Sequence, residues 1–451
     1  MPTGKARSLY AAVALGAAKQ TKNNKDMITH LTLPRPGTPT RSNNIVKIAH
    51  ITTIDMSLHY LLLGQLQALQ AAGHEVVGIS AAGPHVPTLT AAGIRHIAVP
   101  MTRTITPLAD LGALWQLYQI LQREKPTIVH THTPKANLLG QIAAWLANVP
   151  VRVCTAHGFY FTPRTPLLKR FFYQLLEWVP AKLTQRLFLI NREDMAACHE
   201  LALCSPQKTR LLAGGTGVDL HQFSPTPSPL TRQAVGLPAT GPVVGFVGRL
   251  VAEKGVRELL AAARLVRQRV PDVTFLLVGP VDQEKPDALT PETAVSYGVA
   301  DCTVFTGSRS DLPDLYGLMD LFVLPSHREG LSRTLMEAAA MGLPAVTTDV
   351  RGCRDVVING RSGLVTPLGN VAALADAITD LLLNPAKRRQ MGQAARQLAV
   401  TQFDEQVVFA QVEAEYEQLL HEQGMAQPNG RIACAPTGEM NNVPTVWKTP
   451  L

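Results

Sequence analysis

From Ile45 onward, short apolar runs alternate with segments whose apolar residues recur at helical spacing. "IVKIAHITTI" precedes "SLHYLLLGQLQALQAAG". "HEVVGIS" and "IRHIAVP" precede "PLADLGALWQLYQILQRE". "TIVHTHT" precedes "NLLGQIAAWLAN" and then "VRVCTAH". Strand-like runs separated by helices of about 10 to 15 residues predict βαβ units and a parallel sheet. Their continuous apolar character fits strands covered on both faces. The alternation stops over 219–241, where Pro225, Pro227 and Pro229 fall in a stretch without periodicity, so this stretch reads as a linker. It restarts with "PVVGFVG", "VRELLAAARLVRQR", "VTFLLVG", "CTVFTG", "DLFVLP", "LSRTLMEAAAMG" and "PAVTT". The fold class is α/β: two tandem Rossmann-like, doubly wound domains, 45–218 and 242–400, with a cleft between them. A C-terminal helix over 401–425 packs back on them. Residues 1–44 and 426–451 are polar and proline-containing, and read as disordered tails. "SLYAAVALGAA" near the start resembles a weak targeting signal, and the tail reading is preferred to it.

Composition adds little to this picture. The chain is 46% hydrophobic and 17% charged, an ordinary globular balance. No apolar run reaches the roughly 18 residues of a spanning helix. The six cysteines are scattered without C-x-x-C pairs, which argues against a disulfide scaffold or a cysteine metal site. The net charge of +8 admits anionic partners. Nucleic acid fits poorly, since there is no aromatic stacking platform.

Ligands of open α/β sheets bind at the carboxyl ends of strands, and two such ends carry candidate chemistry. In "VVGFVGRLVAEKG", Gly248 follows a strand and a helix is expected to begin near Glu253. A glycine allows close backbone approach. A helix N-terminus, Arg249 and Lys254 together suit a diphosphate. The plainer reading is a tight turn with surface cations. In "HREGLSRTLMEAAAMG", Ser332 is placed to cap a helix over Arg333–Met341, with Gly342 and Pro344 ending it. Glu329 precedes that helix and Glu337 lies inside it. Ionised carboxylates only accept hydrogen bonds, so beside a diphosphate their natural partners are neutral hydroxyls on the rings that flank it. The alternative is a surface acid at Glu329 and a salt-bridged helix acid at Glu337.

The pair Glu329-x7-Glu337 after "PS", with "GR…EKG" upstream, resembles glycosyltransferase family 4, whose members have the GT-B fold. "TTDVRGCRDVVINGRSGLVTPLGN", "GTGVDLHQFSP" and "PTIVHTHTPKANLLGQIAAWLANVPVRVCTAHG" extend the resemblance over about 45–423, toward the capsular, O-antigen and exopolysaccharide members. The resemblance implies a retaining transferase that moves a hexose or N-acetylhexosamine from a nucleotide sugar, UDP-linked, to a saccharide on a polyprenyl diphosphate. Gly248, Arg249 and Lys254 would hold the donor diphosphate. Glu337 would accept from ribose hydroxyls. Glu329, with Gly330, Leu331 and Ser332, would contact the transferred sugar. His157 in "TAHGFYF" would face the reacting centre. No enzyme nucleophile is implied: the acceptor hydroxyl attacks on the leaving-group face and the departing phosphate takes its proton. No D-x-D occurs, and neither metal nor cofactor is expected. One departure stands out. Many relatives carry a glycine pair after the first strand, whereas "TTIDMSLHYL" has no glycine before Gly64.

His132 and Lys135 in "HTHTPK" read as acceptor-side lining of the cleft, with a structural role as the alternative. Residues 162–188 read as a helix mixing Arg164, Lys169, Arg170, Lys182 and Arg186 with Phe171, Phe172, Tyr173 and Trp178. That mixture suits an anionic membrane interface. A sheet-covering helix with a basic edge is the plainer reading. The expected place is the cytoplasmic, inner face of the membrane, peripherally bound. Two rival functions share the architecture: a nucleotide-sugar 2-epimerase, and a catalytically silent scaffold of a polysaccharide assembly complex.

Overall fold

A computed structural model of the protein describes residues 45–163, 165–281 and 288–425. The tails expected at 1–44 and 426–451 lie outside the described residues, as does Arg164. The first sheet contains β1 (Lys47–Ile54), β2 (Glu75–Ala81), β3 (Arg95–Ala98), β4 (Ile128–His132), β5 (Val151–Ala156), β6 (Arg186–Leu189) and β7 (Thr209–Leu211). The second contains β8 (Val243–Val247), β9 (Thr274–Val278), β10 (Thr303–Gly307), β11 (Leu321–Leu324), β12 (Ala345–Thr348) and β13 (Gly363–Thr366). Their orders are β3-β2-β1-β4-β5-β6-β7 and β10-β9-β8-β11-β12-β13. All the pairings are parallel. The winding reverses between β1 and β4 in the first sheet and between β8 and β11 in the second. Those two points open crevices at the strand ends.

Alternate residues of β1 feed opposite cores, so both faces of the sheet are covered. Ile48 packs with Leu66, Val412 and Leu419, beneath the Leu63–Ala71 and Glu405–Glu422 helices. Ala49 and Ile51 pack with Leu117, Leu121, Leu139 and Ala143, beneath the Pro107–Glu124 and Pro134–Leu146 helices. The Glu405–Glu422 helix follows the second lobe in sequence yet buries Val412, Tyr416, Leu419 and Leu420 in the first. Each such side chain contributes about 1.5 to 3 kcal/mol, which ties the end of the chain to the first lobe. The chain therefore crosses between the lobes twice. The two crossings run side by side, with Val218 N donating to Phe403 O at 2.8 Å and Glu405 N to Val218 O at 3.2 Å.

Several details depart from the sequence pattern. β6, β7 and β13, strands of 4, 3 and 4 residues, stand where no strand was expected. The stretch 162–188 is not one helix: the Leu167–Leu183 helix gives way to β6. After β1 the chain enters a helix at once, through Asp55–Ser57 and a wide π-type turn at Leu58–Leu62. Among the described residues, no helix is long and apolar enough to cross a membrane.

Candidate active site between the two sheets

The second sheet's crevice is built by the loops after β8 and β11. Beyond β8, Gly248 N donates to Val278 O at 2.9 Å and the chain turns through Arg249. Ala252–Lys254 forms one 3-10 turn, and the α-helix starts only at Val256. The expected start near Glu253 is therefore late by about one turn, because Gly255 stands between with φ +73°. Only glycine fits there: a Cβ would lie 1.9 Å from Pro325 O in the loop after β11. That contact clamps the two loops together. His327 N donates to Glu253 O at 2.9 Å, and Arg328 Nε donates to Glu253 Oε1 at 2.9 Å. The result is an ion pair of 2.6 Å between Lys254 Nζ and Glu329 Oε1. An ammonium offers three donors, so this pair leaves Lys254 able to meet a phosphate. It also neutralises the acid that would otherwise repel one.

Ser332 caps the Arg333–Ala340 helix by accepting from Leu335 N at 3.4 Å. Glu337 points inward and is buried, and burial pushes its carboxyl above the ordinary range, against the pull of Arg333. Arg333 Nε lies 3.0 Å from Oε1, and the Tyr316 hydroxyl donates to Oε2 at 3.0 Å. A buried acid thus has a partner on each oxygen, with a lone pair left on both. Arg333 could have been found from its i,i+4 spacing to Glu337. Tyr316 carried no signal in the sequence. Arg333 Nη1 also donates to Tyr60 O of the first lobe at 2.8 Å.

His157 follows β5 and meets this loop directly. A Cβ on Gly330 would lie 2.0 Å from His157 O, and one on Gly158 would lie 2.6 Å from Gly330 Cα. Backbone therefore touches backbone where the lobes meet, and Asn191 Nδ2 donates to Gly330 O at 3.0 Å. The junction is anchored by a residue the sequence reading did not single out. Arg351 pairs with buried Asp194 and donates to Phe159 O at 2.6 Å and Phe161 O at 2.8 Å. Burial raises the Asp194 carboxyl, and Arg351 and Asn191 oppose that rise. The Arg328 guanidinium lies 4.3 Å from the centre of the Tyr160 ring, a second link across the lobes. His157, Glu329, Gly330 and Lys254 are brought together. Leu331 and Ser332 follow in the same loop, and Glu337 lies on the helix that Ser332 caps, paired with Arg333.

His132 and Lys135 have other surroundings. His132 ends β4 and is buried, behind His157: its Nδ1 lies 3.3 Å from His157 Nε2. Lys135 Nζ pairs with Asp110 Oδ1 at 2.6 Å and donates to Thr104 O, so its charge serves the first turn of the Pro107–Glu124 helix. His50, His130 and His132 each offer a nitrogen within 4.8 Å of the others. Yet His130 bonds Tyr416 at 2.5 Å and Thr155 at 2.7 Å, and His132 bonds His50 and His157. Their pKa shifts arise from burial and from one another, with no acid contributing. A buried dication there would lack a compensating charge. Burial holds His157 down at about 4 and His50 at about 3, with His130 and His132 also well below the usual range.

The Leu167–Leu183 helix turns Leu168, Phe171, Phe172, Leu175 and Trp178 to the surface, and Lys182 Nζ lies 5.5 Å from the centre of the Trp178 ring. Its inner face holds Glu177, raised to about 8 by burial. Arg186 does not belong to this surface. It lies in β6, buried, 2.7 Å from Glu415 Oε2 of the C-terminal helix.

Residues 62–215 match the glycosyl transferase 4-like domain, and residues 228–398 match glycosyl transferases group 1. The chain is 32% identical over 290 residues to an Escherichia coli UDP-Gal:alpha-D-GlcNAc-diphosphoundecaprenol alpha-1,3-galactosyltransferase, covering 63% of this chain and 74% of the relative. It is 28% identical to the Staphylococcus aureus capsular polysaccharide biosynthesis glycosyltransferase CapM, over 83% of this chain and 98% of that one. The solved structure of Anabaena HepE in complex with UDP superposes with a TM-score of 0.68 at 22% identity, covering 82% of this chain and 100% of that chain. The chain belongs to glycosyltransferase family 4: it is a GT-B sugar transferase of the kind that serves surface-polysaccharide synthesis.

Proposed function

We propose that the protein transfers a hexose or N-acetylhexosamine from a UDP-sugar to a polyprenyl-diphosphate-linked saccharide, with retention and without a metal. The observation that carries this reading is the Lys254–Glu329 pair, seated at the second sheet's crevice against His157 and Gly330. Arg249 and Lys254 supply fixed positive charge where the nucleotide diphosphate leaves, and such preorganised charge is worth most at that moment. Glu329 keeps Oε2 for a sugar hydroxyl, and Glu337 keeps a lone pair on each oxygen for the ribose. The acceptor hydroxyl attacks beside the leaving phosphate, which takes its proton, so positioning replaces a nucleophile. The Escherichia coli relative, named for UDP-galactose and a diphosphoundecaprenol acceptor, supports both substrate classes. The test is incubation with a panel of UDP-sugars and polyprenyl-diphosphate saccharides. One donor and acceptor pair should give product, and Glu329→Ala should abolish it while the melting curve keeps its cooperativity. Full transfer by that variant would refute the site. Epimerisation of free UDP-sugar without acceptor would favour the rival enzyme.

The acceptor's lipid calls for an approach to the membrane. The exposed apolar stripe of the Leu167–Leu183 helix supports one, together with Lys169 and Lys182 for anionic headgroups. The Pro134–Leu146 helix packs against the Leu167–Leu183 helix and exposes Trp145, and the Pro107–Glu124 helix packs in turn on that one and exposes Leu108, Leu111 and Trp115. Exposed apolar patches of this extent mark interaction surfaces. The protein then works at the cytoplasmic face, bound peripherally. Flotation with anionic vesicles should carry the wild type upward, and the double variant Leu168→Ser, Phe171→Ser should remain in the dense fraction.

A further inference from the structure

Three imidazoles stand in a line from the cleft into the first lobe. His157 is partly exposed at the lobe junction, whereas His132 and His50 are buried. His157 Nε2 lies 3.3 Å from His132 Nδ1, and His132 Nε2 lies 3.1 Å from His50 Nδ1. Strand register makes the line possible: β1 and β4 are neighbours, and residues 50, 130 and 132 share one face. The last nitrogen of the line, His50 Nε2, is buried and has no hydrogen-bond partner.

Burial keeps all three rings neutral near pH 7. A neutral imidazole has one N–H and one bare nitrogen. Each ring in a chain must therefore donate at one end and accept at the other, and all three must point the same way. If the donors point inward, His50 accepts at Nδ1 and must carry its proton on Nε2, as a buried N–H with no acceptor. If they point outward, His50 Nε2 is a bare nitrogen. Among backbone groups, buried N–H without a partner is rarer than an under-satisfied carbonyl, and the same preference applied to the ring favours the outward direction. His157 then accepts at Nε2, and its proton sits on Nδ1, the nitrogen left for a substrate.

We propose that His132 and His50 are positioning residues which fix the tautomer of His157, so that it presents an Nδ1–H donor to the donor sugar. The role of this proton rests on the placement of His157 beside the sugar, and the tautomer itself can be read without any turnover. A group held as a donor cannot serve as a base, which accords with proton transfer to the leaving phosphate. It also gives the buried histidines of β1 and β4 a function that stability alone does not require.

The test is nitrogen NMR of the full chain labelled at histidine, with the His157 resonances identified by their loss in His157→Asn. The expected spectrum at pH 7 has His157 protonated at Nδ1 and bare at Nε2. His132→Phe should remove that single tautomer. His50→Leu should loosen it, and His50→Asn should restore it, because an amide N–H can take the place of Nδ1–H. Where a transfer assay is in hand, His132→Phe should lower kcat by about tenfold or more with the donor KM within about twofold. A His157 protonated at Nε2 in the wild type would overturn the proposal. So would an unchanged Nδ1–H signature in both His132→Phe and His50→Leu. Should His132→Phe fail to fold, the His50 pair reads the same line from its inner end. Absence of transfer with every donor would count against the proposed function and leave the tautomer result standing.

Discussion

The two lobes share one topology and use its crevice in opposite ways. In the second lobe, the loops after β8 and β11 carry Arg249, Lys254 and Glu329, are clamped together at Gly255, and bring Lys254 and Glu329 into contact. In the first lobe, the strands flanking the crevice carry His50, His130 and His132, all neutral and buried, with Tyr416 of the C-terminal helix sealing them. The loop after β1 turns straight into helix and has no glycine before Gly64. The same fold position thus gathers charged side chains where two loops are clamped together. It becomes a packed polar core where the strands bring imidazoles.

Four measurements sharpen this contrast. The largest effect is expected where the lobes are pinned. Arg351→Ala leaves Asp194 buried without its partner, and should lower the urea-derived stability by about 3 to 5 kcal/mol. Lys254→Met removes the charge proposed to face the leaving diphosphate and leaves buried Glu329 without its ammonium, and should slow transfer by about 10²- to 10³-fold with a smaller loss of stability than Arg351→Ala. The first lobe should respond to acid instead. His50 is held at about 3 in the folded chain against 6.5 when free, so unfolding takes up a proton between those values. Its share of stability is complete above pH 6.5 and is lost as the pH falls toward 3. His50→Leu should flatten the acid limb of stability by about 1.4 kcal/mol per pH unit within that window. The smallest effect is Tyr316→Phe, which takes one hydrogen bond from Glu337 and should weaken donor binding by about 1 kcal/mol in calorimetry.

The contrast also marks what could be read from the sequence. Glu329 and Lys254 were legible because charged residues at the ends of apolar strands have no packing role to explain them. Their direct pairing was not, since it depends on Gly255 meeting Pro325 across the sheet. Arg351 and Asp194 lie 157 positions apart, and no periodicity links them. His50 was silent for a different reason: one histidine inside an apolar strand looks like packing until its neighbour across β4 is known. Arg186 was misplaced because a basic residue after a basic helix continues the pattern, while the chain had already turned into β6.

The paired crossings at Val218 and Asp404 carry a mechanical consequence. Two ribbons hydrogen-bonded along one short seam bend about a common line and resist twisting apart. Any gaping of the two halves must therefore swing about that seam, like a book about its spine. The parts farthest from it travel most, and a side chain close to it keeps its bearings throughout the swing.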